Sequence, residues 1–288
     1  MSDVIQRYVR RIRELYPEIV MASTRQVDHG QNNDVVVVND DLLFRFPRYP
    51  SGIALLERET QLLRNLQGSV PVAIPDPLYT SFAPREVGQV FMGYRLIPGA
   101  PLEQEMLQDR ATLRKLATRL ASFLRHLHRV PITAALPGAS PVPIVAKWQG
   151  LYEQIRNQLF PYMRPDARAW TVGHFEAFLQ DPRTQALTPM LIHGDFGASN
   201  ILYDPTQQTL TGIIDFSSAG PDDPAVDFAA ASTIAPDFLS YFYTAYPEVR
   251  DALHRVAFYK GTFALQEALF GRENGDDDAF RAGMEEYV

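Results

Sequence analysis

Residues 191–202 read LIHGDFGASNIL, and residues 212–216 read GIIDF. In both stretches apolar runs typical of buried strands flank a few polar side chains, namely His193, Asp195, Asn200 and Asp215. Binding and catalytic side chains often lie in short loops held by a rigid scaffold. The two stretches therefore predict a functional site built at the ends of buried strands.

The spacing of these polar residues is informative. Asn200 follows Asp195 by five positions, and Asp215 follows Asn200 by fifteen. The protein-kinase catalytic loop has the same order, D-x-x-x-x-N and then the aspartate of D-F-G, with the same first spacing. Phosphoryl transfer needs a carboxylate to orient and deprotonate the acceptor hydroxyl, and oxygen ligands to hold magnesium. Asn200 and Asp215 offer the hard oxygen donors that Mg²⁺ prefers.

The rest of the chain changes character near residues 98–101, which read PGAP. Before this junction, residues 35–38 and 42–46 are β-rich runs separated by a turn sequence, which predicts a hairpin. After it the pattern is mainly helical, and residues 111–128 place their leucines on one stripe. The chain is therefore expected to adopt an α+β fold with a β-rich first part.

Glu59 is an unusual residue in the predicted helix over residues 53–66. At about 100° per residue it falls in the middle of the apolar face, whereas Glu57 falls on the solvent side. An ionised carboxylate on a buried face needs a partner. The sequence therefore predicts a buried charge pair that includes Glu59.

The composition excludes several function classes. The 288 residues include no cysteine, which rules out disulfides, thiolate metal sites and cysteine nucleophiles. The net charge of −7 argues against a nucleic-acid-binding surface and either favours a cationic ligand or only supports solubility. No apolar run approaches the roughly 18–20 residues of a membrane span, and the first residues do not have the pattern of a signal peptide. We therefore expect a cytoplasmic enzyme without a membrane or nucleic-acid partner.

Five motifs together resemble the aminoglycoside phosphotransferase superfamily, whose fold is that of the protein kinases. They are Phe44–Arg48, Arg58–Thr60, Gly93–Gly99, the catalytic stretch of residues 191–216, and Asp223–Phe228. The chain is most similar to the aminoglycoside 2″-phosphotransferases and next to the macrolide phosphotransferases. The resemblance covers nearly the whole chain.

This resemblance implies a two-lobe, protein-kinase-like α+β fold. Residues 1–97 would form a nucleotide-binding N-lobe with an antiparallel sheet and one helix, and residues 98–288 a mainly helical C-lobe. A loop that includes Gly30–Asn33 would cover the phosphates of the nucleotide.

The resemblance also implies roles for individual residues. Asp195 would be the catalytic base, Asn200 and Asp215 the Mg²⁺ ligands, and His193 and Asp227 structural supports of the loop. The nucleotide-binding residues would be Arg45 paired with Glu59, the hinge residues Arg95, Leu96 and Ile97, and the apolar Leu202 and Ile214.

The chain departs from the kinase pattern at two positions. Arg45 stands where most kinases have lysine, and Ser217 stands where protein kinases have the glycine of D-F-G. Arginine keeps the charge, but its planar, longer side chain makes the replacement non-conservative.

Other polar residues have both a functional and a structural interpretation. Asp222 and Asp223 would either hold a cationic acceptor or serve the turn in the sequence GPDDP of residues 220–224. Glu267 would face either an acceptor or solvent. His126 and His128 are expected to be helix-end or structural histidines.

The sequence is thus expected to encode a small-molecule kinase that uses ATP or GTP and Mg²⁺, with an aminoglycoside-like acceptor. Within the kinase class, a macrolide, another sugar or an amino alcohol stays open as the acceptor. Two further alternatives are a kinase-fold binding module without transferase activity, suggested by Arg45 and Ser217, and a magnesium-dependent phosphohydrolase.

Overall fold

The computed structural model describes residues 3–27, 32–107 and 109–288. Residues 30 and 31 of the expected phosphate-covering loop therefore lie outside the described residues. The chain forms two compact units. The first contains residues 1–103, 134–136 and 199–219, and the second contains residues 104–133, 137–198 and 220–288.

The first unit is built on a five-stranded antiparallel sheet of order β1-β2-β3-β5-β4. Its strands are β1 (Thr24–Val27), β2 (Asn33–Val38), β3 (Leu42–Pro47), β4 (Tyr79–Ser81) and β5 (Phe91–Arg95), and its helices are α1 (Asp3–Leu15) and α2 (Pro50–Leu66). Buried aromatic and aliphatic residues of α1, β2, β3 and β5 form one core cluster. In that cluster Tyr8 stacks on Phe46 with 4.1 Å between ring centroids.

The predicted hairpin is present as β2 and β3. Val38 pairs with Leu42, and the chain reverses through Asn39 and Asp40, both with positive φ (56° and 51°). Asparagine and aspartate tolerate this left-handed conformation better than most residues. The side chain of Asn39 also accepts hydrogen bonds from the backbone N–H groups of Ala22 and Ser23.

A second sheet joins a distant part of the chain to the first unit. Its order is β6-β8-β9, where β6 is Ala100–Pro101, β8 is Ile201–Asp204 and β9 is Thr209–Ile213. Ala100 pairs with Tyr203, and Ala73 forms a bridge with Gly212. These pairings explain why residues 199–219 cluster with the first unit. The expected lobe boundary between residues 97 and 98 stays a prediction.

The second unit is mainly helical. Its helices are α3 (Arg110–Arg129), α5 (Ile144–Gln158), α6 (Pro165–Leu179), α7 (Pro182–Gln185), α8 (Ala225–Ala231), α9 (Val249–Asn274) and α10 (Asp277–Met284), and its strands β7 (Met190–Ile192) and β10 (Gly220–Asp222) pair antiparallel. The short helix α4 (Ile132–Ala135) lies where the chain passes between the two units, and 3₁₀ turns occupy Gln104–Leu107, Phe160–Tyr162, Ala198–Asn200 and Phe238–Thr244. None of the described helices is long and apolar enough to cross a membrane.

The predicted apolar stripe of α3 is confirmed. Its six expected core residues are all buried, namely Leu113, Leu116, Leu120, Phe123, Leu124 and Leu127. The helix begins after Asp109, whose carboxylate accepts a hydrogen bond from the N–H of Thr112 at 2.7 Å. An aspartate at this position satisfies one of the N–H groups that a helix start leaves without a partner.

Gly93 permits the close approach of β5 to β3. A Cβ atom at this position would lie 2.5 Å from two ring atoms of Phe44, a residue with no exposed surface. We expect Gly93→Ala to lower the free energy of unfolding by about 1–3 kcal/mol, because a filled core has to shift to accept it. Urea denaturation measures the change.

Gly150→Ala is the matched control for this substitution. Gly150 lies on the exposed side of α5, and a Cβ atom added there would have nothing within 4 Å. Alanine there should leave stability unchanged or raise it by up to about 1 kcal/mol, since alanine favours a helix interior over glycine. Equal effects of the two substitutions would contradict the packing argument.

Candidate active site

Arg45 and Glu59 form the buried charge pair predicted from the helical pattern. Glu59 is 2% exposed on α2 and Arg45 is 5% exposed on β3. Arg45 Nη1 donates to Glu59 Oε1 at 2.5 Å, and Arg45 Nη2 donates to Asp215 Oδ1 at 3.0 Å. One guanidinium therefore holds two carboxylates, one from α2 and one from the stretch after β9.

Glu59 also fixes the backbone beside Asp215. Its Oε1 accepts the N–H of Phe216 at 2.9 Å, whereas Oε2 has no hydrogen-bond partner among the described residues. Burial raises the pKa of Glu59, and the Arg45 guanidinium opposes that rise. Burial lowers the pKa of Arg45, but Glu59 and Asp215 together outweigh it and leave the pKa above its usual range.

Asp215 has a left-handed backbone conformation, which is uncommon for residues other than glycine although aspartate tolerates it better than most. Its φ is +61°, in the left-handed region, which is unfavourable for a residue with a Cβ atom by about 1–2 kcal/mol. Arg45 and the N–H of Ser217, at 3.3 Å, both contact its Oδ1. Such conformations persist where surrounding contacts enforce them, and they cluster at functional sites.

The β8–β9 hairpin brings Asn200 and Asp215 to the same end of the sheet. Ile201 pairs with Ile213, and the N–H of Ile214 donates to the carbonyl of Asn200 at 2.9 Å. The amide of Asn200 and the carboxylate of Asp215 are hard oxygen donors and fit Mg²⁺. Among the described residues no group of three or more His, Cys, Asp or Glu forms a metal-binding cluster.

The expected hinge residues follow directly from β5. Arg95 ends the strand and forms an exposed ion pair with Asp41, and the N–H of Leu96 donates to the carbonyl of Asp41 at 2.7 Å. Arg95, Leu96 and Ile97 line a groove of about 450 Å³. Leu202 and Ile214 are not among the described residues that line this groove.

In the second unit, Asp227 organises the loop that carries Asp195. Asp227 has no exposed surface, and it accepts hydrogen bonds from the N–H groups of His193 at 2.9 Å and Gly194 at 2.8 Å. Burial alone would raise the pKa of Asp227, but the hydrogen bonds and charge interactions with His128 and His193 together outweigh burial and hold the pKa below its usual range. Asp195 comes directly after these two residues and is exposed.

The remainder of this loop packs beneath Asp195. His193 is fully buried, and its Nδ1 lies 3.3 Å from the N–H of Asp195, which donates to it. Phe196 is also fully buried and stacks on Phe123 of α3, with 5.8 Å between ring centroids. Gly194 has φ of +82°, a conformation that glycine adopts without strain. The exposed carboxylate of Asp195 is thus attached to a backbone that hydrogen bonds and packing hold in place.

The contact between His128 and Asp227 does not follow from the sequence patterns. The Nε2 atom of His128 lies 2.9 Å from Asp227 Oδ2 inside the second unit. The sequence predicts only a helix-end or structural histidine at this position, and the partner lies 99 residues away. The one local signal is the place of His128 next to Leu127 on the buried side of α3, because a buried histidine needs a polar partner.

The three residues suggested as acceptor contacts have different surroundings. Asp222 is buried, with Lys147 Nζ at 2.5 Å and Trp148 Nε1 at 3.1 Å. Asp223 is buried, with Arg255 Nε at 2.5 Å and the Tyr259 hydroxyl at 2.8 Å. Each aspartate therefore already has a cationic partner within the second unit.

Glu267 is half-buried on α9. Its role in acceptor binding, like those of Asp222 and Asp223, stays a prediction.

The Arg45–Glu59 pair should dominate the stability of the first unit. Glu59→Gln removes the charge that faces Arg45 inside the core, so we expect a loss of about 3 kcal/mol in the free energy of unfolding. Glu57→Gln, two residues earlier on the same helix, breaks only an exposed pair with Arg85 and should change stability by less than about 1 kcal/mol. Urea denaturation compares the two, and similar losses would contradict the assignment.

The comparisons with known proteins agree with this geometry. A sequence model of the "Phosphotransferase enzyme family" matches residues 23–259. The viomycin phosphotransferase of Streptomyces vinaceus is 28% identical over 270 residues, which cover 91% of each chain.

Solved structures are similar over nearly the whole chain. A GDP and kanamycin complex of an APH(2″) enzyme is 30% identical, with a TM-score of 0.86 and 96% of each chain covered. The GDP complex of an aminoglycoside 2′-phosphotransferase-IIIa is 28% identical, with a TM-score of 0.88, and covers 99% of this chain and 97% of that one. These structures confirm the predicted protein-kinase-like α+β fold. The chain therefore belongs to the phosphotransferase enzyme family, and it is an enzyme that transfers a phosphoryl group to a hydroxyl acceptor.

Proposed function

We propose that this enzyme transfers the γ-phosphate of ATP or GTP, with Mg²⁺, to a hydroxyl group of a cationic antibiotic of the aminoglycoside kind. The observation that carries the proposal is the contact of the buried Arg45 with the buried Glu59 and the partly exposed Asp215, in which one guanidinium holds both carboxylates. Nucleotide binding is assigned to the first unit and the catalytic loop to the second. Because the donor is a nucleoside triphosphate, the proposal places the enzyme in the cytoplasm.

Arg45 supplies the positive charge on β3 for the phosphates of the donor. Glu59 holds this guanidinium from below, so that it is oriented before a nucleotide arrives. A charge that is already oriented stabilises developing negative charge without reorganisation during the reaction. His193 and Asp227 have the corresponding supporting role for the catalytic loop.

Asn200 and Asp215 would hold Mg²⁺, which would supply positive charge to offset the negative charge of the donor phosphates. Arg45 and Ser217 keep the Asp215 carboxylate in one orientation. The backbone of Asn200 is fixed by the N–H of Ile214. The oxygen ligands proposed for Mg²⁺, on Asn200 and Asp215, therefore lie at the end of a hairpin whose backbone is held by hydrogen bonds.

Asp195 would accept the proton of the acceptor hydroxyl. Its exposure leaves the carboxylate accessible to an acceptor, while the backbone before it is held by Asp227. Holding the carboxylate and hydroxyl in reacting geometry contributes much of the catalysis in phosphoryl transfer.

Recognition of the nucleotide base is assigned to the backbone after β5. The N–H of Leu96 is engaged by Asp41, so base contacts in this segment would fall to backbone groups of Arg95 and Ile97. Leu202 and Ile214, on β8 and just after β9, supply apolar surface for the flat face of the base.

The acceptor class is supported by similarity and by charge. The relatives described above include a viomycin phosphotransferase and a kanamycin-bound enzyme. The net charge of −7 attracts polycations over long range. Asp222, Asp223 and Glu267 are proposed acceptor contacts, and for the two aspartates this requires exchange of Lys147 or Arg255 for the acceptor's cation.

A panel of acceptors tests the proposal directly. With ATP or GTP and Mg²⁺, we expect phosphorylation of kanamycin, viomycin or a related cationic antibiotic, detected by mass spectrometry as the phosphorylated product. Asp195→Ala should keep nucleotide affinity and lose transfer by at least about a hundredfold, since it lacks the proton acceptor. If phosphate were transferred only to macrolides, simple sugars or amino alcohols, the proposed acceptor class would be wrong and the kinase assignment would stand.

Two results in the same assay would overturn the kinase assignment. Rapid nucleotide hydrolysis that needs no acceptor would identify a phosphohydrolase. Nucleotide binding without turnover on any acceptor would identify a binding module.

Asp215→Asn separates the charge of Asp215 from its backbone conformation. Asparagine tolerates the left-handed φ, so the fold should persist while the Mg²⁺ dependence of nucleotide affinity falls about tenfold or more. Isothermal titration with and without Mg²⁺ gives the ratio. Asp204→Asn is the control, because Asp204 only accepts N–H groups of its own turn, a role an amide oxygen keeps. A Mg²⁺ effect that is equal in both variants would remove Asp215 from the metal site.

A further inference from the structure

Asp227 connects the catalytic loop to two side chains from distant parts of the second unit. Besides the N–H groups of His193 and Gly194, its carboxylate contacts His128 Nε2 at 2.9 Å. His128 Nδ1 in turn lies 3.0 Å from the hydroxyl of Tyr246. The side chains of His128 and Asp227 have no exposed surface, and Tyr246 is 6% exposed. Tyr246, His128 and Asp227 therefore form one buried line of hydrogen bonds that ends at the backbone before Asp195.

The chemistry of Asp227 fixes the direction of its hydrogen bond to His128. An ionised carboxylate only accepts, so His128 Nε2 carries a proton and donates to Asp227. When the imidazole is neutral its other nitrogen is an acceptor, and the Tyr246 hydroxyl donates to it. In that neutral form Tyr246 selects the His128 tautomer that can donate to Asp227, because the hydrogen bond at one ring nitrogen decides which nitrogen is protonated.

Packing restrains the same histidine. The His128 ring meets Phe228, the residue after Asp227, edge to face at 5.7 Å between centroids. It also lies on α3, the helix whose Phe123 stacks on Phe196 of the catalytic loop. Helix α3 therefore contacts the loop at two places. Phe123 stacks on Phe196, the residue after Asp195, and His128 bonds to Asp227, which holds the two residues before Asp195.

We propose that His128 and Tyr246 are positioning residues for phosphoryl transfer, which hold Asp195 in its reacting place through Asp227 and the backbone of His193 and Gly194. The proposal rests on the proposed role of Asp195 as the base. Both side chains are buried, so the proposed effect acts through Asp227 and not through contact with substrate. Their effect is to keep the Asp227 carboxylate in the one orientation in which both of its oxygens reach the loop.

A positioning role differs from a purely structural one in its kinetic consequence. If the line only stabilised the fold, its loss would lower the melting temperature and leave the turnover of folded molecules unchanged. If it positions Asp195, its loss lowers kcat and leaves the KM for the nucleotide unchanged, because small displacements of a catalytic group cost large factors in rate.

Four variants separate these outcomes. His128→Leu removes the donor to Asp227, whereas His128→Gln offers an amide N–H at a reach similar to that of Nε2. Tyr246→Phe removes only the hydroxyl. His126→Gln is the matched control, because His126 is exposed two residues earlier and its hydrogen bond among the described residues is to the carbonyl of Ser122 in the same helix.

We expect His128→Leu to lower kcat about tenfold or more with the KM for the nucleotide within about twofold of the parent value. His128→Gln should recover most of this loss, Tyr246→Phe should show a smaller loss, and His126→Gln should match the parent enzyme. Steady-state kinetics, corrected for the folded fraction from circular dichroism, provide these values. An unchanged kcat in folded His128→Leu, or an equal loss in His128→Gln, would overturn the proposal.

Hydrogen exchange gives a readout that needs no acceptor. The amides of His193 and Gly194 should exchange faster in Tyr246→Phe and His128→Leu than in the parent and in His126→Gln. Parent-like protection of these amides would overturn the proposal even if activity fell. If the parent enzyme phosphorylates no acceptor, the proposed function fails while this measurement still decides the positioning role. If His128→Leu does not fold, the exchange and kcat values of His128→Gln and Tyr246→Phe decide it.

Discussion

An ionised carboxylate inside a protein core has to be matched by a cation and by hydrogen-bond donors, and in the first unit that carboxylate belongs to Glu59. Its buried place on α2 requires Arg45 on β3, and its second bond, to the N–H of Phe216, fixes the chain after β9. Asp215 immediately precedes Phe216, so the same hydrogen bond helps to maintain the left-handed backbone of Asp215. The geometry of the expected nucleotide and metal residues in this unit thus follows from one buried charge.

The second unit also contains a buried carboxylate that is matched by a side-chain donor and holds backbone N–H groups. Asp227 is a fully buried carboxylate that accepts backbone N–H groups from the residues just before the exposed Asp195, and His128 is its side-chain donor. In each unit, then, a buried carboxylate on a helix holds the backbone next to an aspartate that is proposed to act on the reactants. Both oxygens of Asp227 are hydrogen-bonded, and a buried network whose polar groups are satisfied is rigid, which suits a residue whose exact placement determines the rate.

Local patterns explain which of these features could be predicted from the sequence. The inward direction of Glu59 follows from the helical period, and the β2–β3 hairpin follows from its turn residues. The partners of Asp222, Asp223 and Asp227 could not be predicted in this way, because Lys147, Arg255 and His128 lie between 32 and 99 residues away. The division of the chain into two units also could not be predicted from local sequence patterns. The pairing of Ala100 with Tyr203 attaches residues 199–219 to the first unit, and no pattern within either segment indicates it.

The number of nitrogen atoms in the Arg45 side chain limits which residue can replace it. Two separate nitrogens of the guanidinium, Nη1 and Nη2, reach Glu59 and Asp215 at the same time. A lysine has a single nitrogen on a flexible stem and would have to serve both carboxylates from one point. The backbone spacing between α2, β3 and the stretch after β9 therefore suits arginine, so a lysine at position 45 would have to be accompanied by compensating changes around residues 59 and 215.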